Sequence, residues 1–265
     1  MWYNSAMRYV CPVCGLPLKQ ENRSYRCSKG HSFDIAASGY CSLYLSSQKK
    51  SHGDDAAMVK ARTSFLSTGS YGFLKDALRE ISEQNGFHTL ADLGCGEGYY
   101  TSALKADEKY GFDLSKAALK HAAKHDPSSY YAAASIFRLP LPDASMDAVY
   151  TCFAPCAKDE ILRVLKPGGL FVFVLPDKDH LWQLKQFLYE TPYENKVELP
   201  DIGLHLKETR HISGEFTITR PYIMDLFRMT PYSYKTSLEA TGRLQALENL
   251  TCVASFVIAV YEKRL

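Results

Sequence analysis

Between residues 88 and 175 the apolar positions switch repeatedly between two periods, and that alternation predicts the fold. Short apolar runs at Thr89–Leu93, Tyr110–Phe112, Tyr130–Ala133, Ala148–Cys152 and Leu170–Leu175 have the length and flanks of buried strands. Helices are expected between them: one after Gly98, one opened by Ser115, and one over Lys158–Leu165 that ends in the turn Lys166-Pro-Gly-Gly169. Strands and helices taking turns at this spacing build a doubly wound, mainly parallel, Rossmann-like α/β sheet. Ligands of such sheets sit outside the carboxyl ends of the strands, near the switch point.

Outside this core the pattern is looser. Residues 46–55 are polar and glycine-containing and read as a linker. Asp54 or Asp55 then caps a helix bearing Met58, Ala61, Phe65 and Leu66, and after Thr68-Gly69-Ser70 a second helix carries Phe73, Leu74, Leu78 and Ile81. Residues 190–215 read as a loop or insertion, followed by a short strand at Thr217–Thr219, helices at Tyr222–Met229 and Ser237–Asn249, and a closing strand at Cys252–Tyr261. No internal repeat or low-complexity segment is visible. The chain therefore divides into a small N-terminal domain (residues 1–45), a linker with helices (46–87) and a large α/β domain (88–265).

Composition narrows the class. A chain of 265 residues with 46% hydrophobic content buries a full-sized core and is neither disordered nor highly charged. Met1–Val10 lacks the apolar stretch of a secretory signal, and no apolar run reaches the roughly 18 residues a membrane helix needs. A reducing, cytoplasmic compartment is the expectation, with no membrane partner. Met7 is a candidate natural start, and the six residues before it are given no structural meaning. The net charge of +2 is an average over unlike parts: residues 1–62 hold nine Lys/Arg against four Asp/Glu, whereas the remainder carries three more acids than bases. A basic N-terminal part is compatible with a polyanionic partner.

Four of the eight cysteines fall in the first 41 residues. Cys11-Pro-Val-Cys14-Gly15 lets two thiolates bite one ion from a tight turn, and Cys27-x₃-His31 supplies the other half of a tetrahedral set, which suits one structural Zn²⁺. The segment between, Gly15 to Arg26, is long enough for a β-hairpin and too poor in apolar residues to fold without a staple. A disulfide is disfavoured in a reducing compartment, a redox Cys-x-x-Cys lacks its βαβ surroundings, and a catalytic zinc lacks a nearby carboxylate base. Cys41 lies outside the set and reads as a small buried hydrophobe.

The segment Leu90-Ala-Asp92-Leu-Gly94-Cys-Gly96-Glu97-Gly98-Tyr-Tyr-Thr101 runs from a strand into a glycine loop. Without Cβ atoms a ligand approaches the main chain closely. The third glycine comes one residue too early for a dinucleotide fingerprint, and two acids, Asp92 and Glu97, suit a cationic ligand better than a pyrophosphate. Asp113 ends the next strand, where a carboxylate takes the two hydroxyls of a ribose. The plain alternative is a glycine turn needed for packing, with Cys95 as a small residue that fits there.

Together these residues resemble the S-adenosylmethionine site of the class I methyltransferases over about residues 88–175. The resemblance implies that Asp92, Gly94, Gly96, Glu97 and Gly98 surround the amino-acid end of the cofactor and that Asp113 holds its ribose. Leu139-Pro140-Leu141-Pro142-Asp143 and Lys166-Pro-Gly-Gly169 match the same pattern, while the acid that often lies near the adenine is replaced by Ala133-Ala-Ser-Ile136.

A narrower resemblance joins the two ends. The Cys/His ribbon, His31-Ser-Phe-Asp-Ile-Ala-x-x-Gly39-Tyr40, Met58-x-x-Ala61-Arg62-x-x-Phe65-Leu66, the glycine loop, Phe153-Ala-Pro155-Cys156 and Met229-Thr-Pro-Tyr232 are similar to the bacterial 23S rRNA guanine-N1 methyltransferases of the RlmA type. The family modifies one of two neighbouring guanines in a hairpin loop of 23S rRNA, and a homodimer closing an RNA cleft belongs to what it implies. It also implies cofactor contacts for Tyr71 and His180, which otherwise read as a capping aromatic and a surface histidine. The ribbon, with Arg23, Arg26 and Lys29, becomes the RNA-recognition element rather than a purely structural cap. Phe153, Pro155 and Cys156 follow the fourth strand, where enzymes acting on base nitrogens hold a flipped base. Nucleophilic use of Cys156 belongs to methylation at ring carbon, and packing is its plainer role. Two alternatives stay open at this point: a methyltransferase for a small molecule or protein, and a non-catalytic RNA-binding protein.

Overall fold

The computed structural model describes residues 9–44 and 54–264; Met7 and most of the expected linker at 46–55 lie outside them. The N-terminal part is an antiparallel sheet of β1 (Tyr9–Val10), β2 (Pro17–Glu21), β3 (Ser24–Arg26) and β4 (Ser32–Asp34), in that order. Asn22 and Arg23 turn β2 into β3, with Asn22 at φ 54° in the left-handed region that asparagine tolerates. This sheet is not free-standing. The Tyr9 ring meets Tyr110 and Phe112 edge-on at 5.8 and 6.2 Å, and Val10 N–H donates to the Pro140 carbonyl at 2.9 Å. Just beyond it, β5 (Cys41–Ser42) pairs in parallel with a strand of the main sheet, burying Cys41 as expected.

Two helices follow. α1 (Ala56–Leu66) starts at Asp55, whose side chain accepts from Met58 N–H at 2.8 Å, and α2 (Gly72–Asn85) stops at Gly86 in the left-handed conformation. The α/β part continues through β6 (Thr89–Leu93), β7 (Glu108–Asp113), α3 (Lys116–His125), β8 (Tyr130–Ala133), β9 (Met146–Cys152), α4 (Lys158–Val164), β10 (Leu165–Pro176) and α5 (Trp182–Leu188). It closes with β11 (His205–Thr219), α6 (Arg220–Met229), a 3₁₀ turn at Pro231–Tyr234, α7 (Leu238–Ala246) and β12 (Asn249–Glu262). The eight strands order as β11-β12-β10-β9-β6-β7-β8-β5, parallel from β10 to β5 and antiparallel at β11 and β12. The chain leaves β6 toward β8 and then returns to its other side at β9, so the switch point lies at β6.

Leu90, Ala91 and Leu93 in β6 and Phe171, Val172 and Val174 in β10 are buried, which is why these strands read as near-continuous apolar runs. One face packs on α2, α5, α6 and α7 through Leu74, Leu78, Leu184, Leu226 and Leu244. The other packs through Ile161 and Val164 of α4, while Leu119 and Ala122 of α3 cover Tyr131.

Three expectations need correction. No helix follows Gly98: residues 99–103 are a series of turns, and the buried Lys109 ammonium takes the Thr101 carbonyl at 3.1 Å, occupying an acceptor a continuing helix would use. Residues 205–215 are not a loop but the first part of the fifteen-residue edge strand β11, which pairs with β12 and exposes its polar side chains. The last helix ends at Ala246, and Asn249 already opens β12. No helix among the described residues is long and apolar enough to cross a membrane.

Candidate active site and metal centre

β7, β6 and β9 lie side by side and parallel, so their carboxyl ends, with Asp113, Leu93 and Cys152, come out at one edge of the sheet. A cavity of about 1050 Å³ opens there. Asp92, Gly94, Gly96, Glu97 and Asp113 line it from the β6 and β7 side, Phe153 and Pro155 from the end of β9, and Tyr71 and His180 from α2 and the segment after β10. Two of the residues named from sequence do not reach it. Gly98 turns against α3: at φ +80° a Cβ there would stand 2.7 Å from the Tyr131 hydroxyl and 3.0 Å from Ala122 Cβ, so this glycine serves packing. Cys156 packs beside the Tyr261 and Ile202 cluster, and burial pushes its thiol pKa up, away from nucleophilic use.

Gly94 is fixed by a close approach. It sits at φ +78°, and a Cβ would fall 2.5 Å from Ala154 Cβ, so the turn after β9 rests directly on the glycine loop. The acids of the loop then differ in what they have left to offer. Glu97, 7% exposed, is paired with Arg62 Nε at 2.6 Å, so its charge is compensated within the chain. Asp92, 2% exposed, accepts from the Thr101 hydroxyl at 2.5 Å through Oδ2, while Oδ1 is buried with no partner. Burial first, then the nearby Asp113 and Glu97, lift its pKa to about 7. Asp113 accepts from Gly96 N–H at 2.9 Å and Ser115 N–H at 2.7 Å, and burial also raises its pKa.

On the far wall Tyr71 and His180 are buried, neither a surface residue. The Tyr71 hydroxyl lies 3.4 Å from His180 Nε2, and both rings pack on Phe256 at 5.1 and 4.7 Å. Burial drives the His180 pKa down to about 3, so the imidazole is neutral. Phe153 has φ 60°, unusual for a bulky residue, and its ring is 45% exposed beside Tyr100 and Phe256. Sequence reading gave Arg62 no role of its own; an ion pair spanning 35 residues leaves no local signal. Tyr232 and Asn195 also line the cavity, from segments whose pattern is irregular.

In the ribbon, the turn after β1 and the turn between β3 and β4 bring Cys11, Cys14, Cys27 and His31 together, all four ligand atoms lying within 4.8 Å of one another. Cys14 and Cys27 sulfurs are 3.7 Å apart, and His31 Nδ1 is 3.5 Å from Cys11 Sγ and 3.3 Å from Cys27 Sγ. Sulfurs held at about 2.3 Å in a tetrahedron are separated by about 3.8 Å, so the set fits one zinc ion with closed coordination. All eight cysteines are free thiols, so no disulfide competes.

The sheet, its switch point and the glycine loop with an acid after the second strand define a class I methyltransferase. A methyltransferase domain model matches residues 91–173, and the zinc-ribbon model for the RlmA N-terminus matches residues 9–52. The 23S rRNA (guanine(748)-N(1))-methyltransferase of Streptomyces fradiae is 34% identical over 68% of each chain. A Micromonospora griseorubida protein classed as a 23S rRNA (guanine-N1)-methyltransferase is 32% identical over 95% of this chain and 96% of its own. The chain belongs to the 23S rRNA (guanine-N1)-methyltransferase family. Its fold also agrees with a chain in the complex of the Haloferax volcanii Trm112 methyltransferase activator with its methyltransferase, at a TM-score of 0.50 and 20% identity over 81% of this chain and 100% of that one.

The cofactor of the class is S-adenosylmethionine, and the residues present fit it. The unpartnered, buried Asp92 Oδ1 offers a site for an ammonium, and Asp113 stands at the end of β7 for a ribose.

Proposed function

We propose that the cavity at the ends of β6, β7 and β9 is where this chain moves a methyl group from S-adenosylmethionine to N1 of a guanine in a hairpin loop of 23S rRNA. The observation that carries the reading is the meeting, in one cavity, of the unpartnered Asp92 oxygen and the half-exposed Phe153 ring. The first suits the cationic end of the cofactor; the second suits a base turned out of its stack.

When bound, the cofactor supplies an electrophilic methyl group for in-line displacement. Asp92 would hold its amino-acid end and Asp113 its ribose, so the chain's contribution is mainly alignment. Tyr100 and Phe256 give the cavity apolar walls that exclude water. His180, held neutral, adds no positive charge to a wall that faces a sulfonium. Phe153 stacks on the guanine, and Pro155 bounds the base on the β9 side. As the N1–methyl bond forms, the guanine N1 proton passes to water.

In this reading residues 1–45 recognise RNA, 88–265 carry the transfer, and 46–87 join them and add Arg62 and Tyr71 to the cavity wall. Lys19, Arg23, Arg26 and Lys29 are exposed on the ribbon and face a polyanion without burial cost. A second copy of the chain closing the RNA cleft belongs to the same proposal and is checked by the mass in solution. The cytoplasm is the compartment it requires. Incubation with tritiated S-adenosylmethionine and unmodified 23S rRNA is expected to place label in the RNA. RNA without label, with label in a protein or small molecule instead, returns the reading to a methyltransferase with a structural ribbon.

A further inference from the structure

Arg62 projects from α1 into the cavity wall, where two carboxylates fix its guanidinium. Nε donates to Glu97 Oε2 at 2.6 Å, and Nη1 donates to Asp54 Oδ2. The anchor is strong on both sides: Glu97 is buried, and the Asp54 carbonyl in turn accepts from the Ser115 hydroxyl at 2.8 Å, next to Asp113. These acids raise the Arg62 pKa above an already high value despite its burial, so the group is permanently charged.

A guanidinium has five N–H donors in one plane, and the two carboxylates use two of them. Nη2 makes no hydrogen bond to any described residue. It lies 3.0 Å from where a Cβ of Gly96 would be, so the free edge of the fork stands over the middle glycine of the loop. The Gly96 N–H is itself turned away to Asp113. Between Asp92, with its orphaned oxygen, and this free edge, the cavity therefore offers one buried acceptor for a cation and one fixed donor pair for an anion. An α-amino acid presents those two groups on a single carbon.

We propose that the free edge of Arg62 binds the carboxylate of the cofactor's amino-acid end while Asp92 takes its ammonium. This rests on the assignment of the cavity to S-adenosylmethionine. Glu97 and Asp54 then act as positioning residues: they hold the fork in plane, so that little side-chain entropy is lost when the carboxylate arrives. Two acids beside the site also set a cost for any carboxylate that Arg62 does not meet.

Calorimetry with two ligands separates this role from a structural one. S-adenosylhomocysteine and its analogue lacking the carboxylate are titrated into the wild type and Arg62→Met, with thermal melting as the check of the fold. The wild type is expected to prefer the carboxylate-bearing ligand by about tenfold to a hundredfold, and Arg62→Met to bring the two affinities together or invert them. Arg62→Lys is expected to keep part of the preference. Should Arg62→Met not fold, Arg62→Met with Glu97→Gln, which removes the buried charge that the loss of Arg62 leaves unpaired, gives the same ratio. A wild-type preference retained in a folded Arg62→Met overturns the role of Arg62 alone. A wild type that binds neither ligand overturns the cofactor assignment and this inference with it.

Discussion

The hydroxyl of Tyr71 lies 3.4 Å from Nε2 of His180, joining α2 to the segment after β10 across 109 residues of sequence. His180 Nδ1 lies 3.0 Å from the Ser255 carbonyl. With its proton on Nδ1 the ring donates to that carbonyl and Nε2 accepts from the Tyr71 O–H; with the proton on Nε2, Nδ1 accepts from the Ser255 N–H at 3.3 Å and Nε2 donates to the Tyr71 oxygen, so both ring nitrogens are used in either neutral form. The pair is thus a buried, neutral, fully used link that ties α2 to the β10 and β12 side of the cavity.

Acid stability follows from this link. An imidazole ordinarily titrates near 6.5, and burial holds His180 at about 3. A depressed pKa gives stability that is complete above the unfolded value and is lost as pH falls from about 6.5 toward 3. Urea unfolding at pH 7.5 and 4.5 is expected to show a smaller loss for His180→Gln than for the wild type. Equal losses would mean that His180 is not buried in neutral form.

Asp92 predicts the opposite slope. Its pKa is raised to about 7, chiefly by burial, so its contribution to stability is greatest at low pH and is lost as pH rises from about 4 through 7. Ammonium binding needs the ionised form, so affinity for S-adenosylmethionine is expected to climb as pH passes through about 7 and then level off. Asp92→Asn should bind weakly, by tenfold or more on the scale of a charged hydrogen bond, and without that climb. Titration calorimetry from pH 5.5 to 8.5 reads both.

Replacing Gly94 with alanine meets two obstacles, a positive φ and Ala154 Cβ at 2.5 Å. The substitution is expected to push the Ala154 turn and the neighbouring Phe153 away from the loop. Cofactor affinity and transfer rate should both fall by at least tenfold, measured by calorimetry and single-turnover methylation. Normal kinetics would mean that the loop and the turn after β9 do not need their contact.

The metal centre predicts a separation of effects. One zinc per chain is expected by elemental analysis, and Cys11→Ser or Cys27→Ser should release it. RNA methylation should fall more than cofactor affinity, because the cavity for the cofactor contains no ribbon residue among Cys11, Cys14, Cys27 and His31. An equal fall in both would contradict a separate role for the ribbon in RNA recognition.

Much of this was legible from local signals. The runs at Thr89–Leu93 and Tyr130–Ala133 match β6 and β8 end for end, since strands buried on both faces leave largely apolar stretches, with Asp92 the one acid within β6. Cys11, Cys14, Cys27 and His31 carry their spacing in the sequence itself. β11 was hidden for the opposite reason: at the sheet edge, His205 to Thr209 is exposed throughout and Arg210 to Thr217 alternates partial and full exposure, with Ile218 as the one buried residue, and its partner β12 supplies the order. Arg62, bound to Glu97 and Asp54, and the Tyr71–His180 link depend on tertiary contacts that no period records. Gly98 shows the limit of motif reading, since its glycine is required by Tyr131 and Ala122 and not by the cavity.

The central claim is tested most directly by mapping the methyl group. Total 23S rRNA from a strain lacking the gene, treated in vitro with the purified protein and S-adenosylmethionine, is digested and read by mass spectrometry. The account predicts one new 1-methylguanosine, in a hairpin loop, that is absent from untreated RNA and is not formed by Asp113→Ala at the same enzyme concentration. A methyl group on another atom or another base, or unchanged RNA beside a cofactor-loaded enzyme, would contradict it.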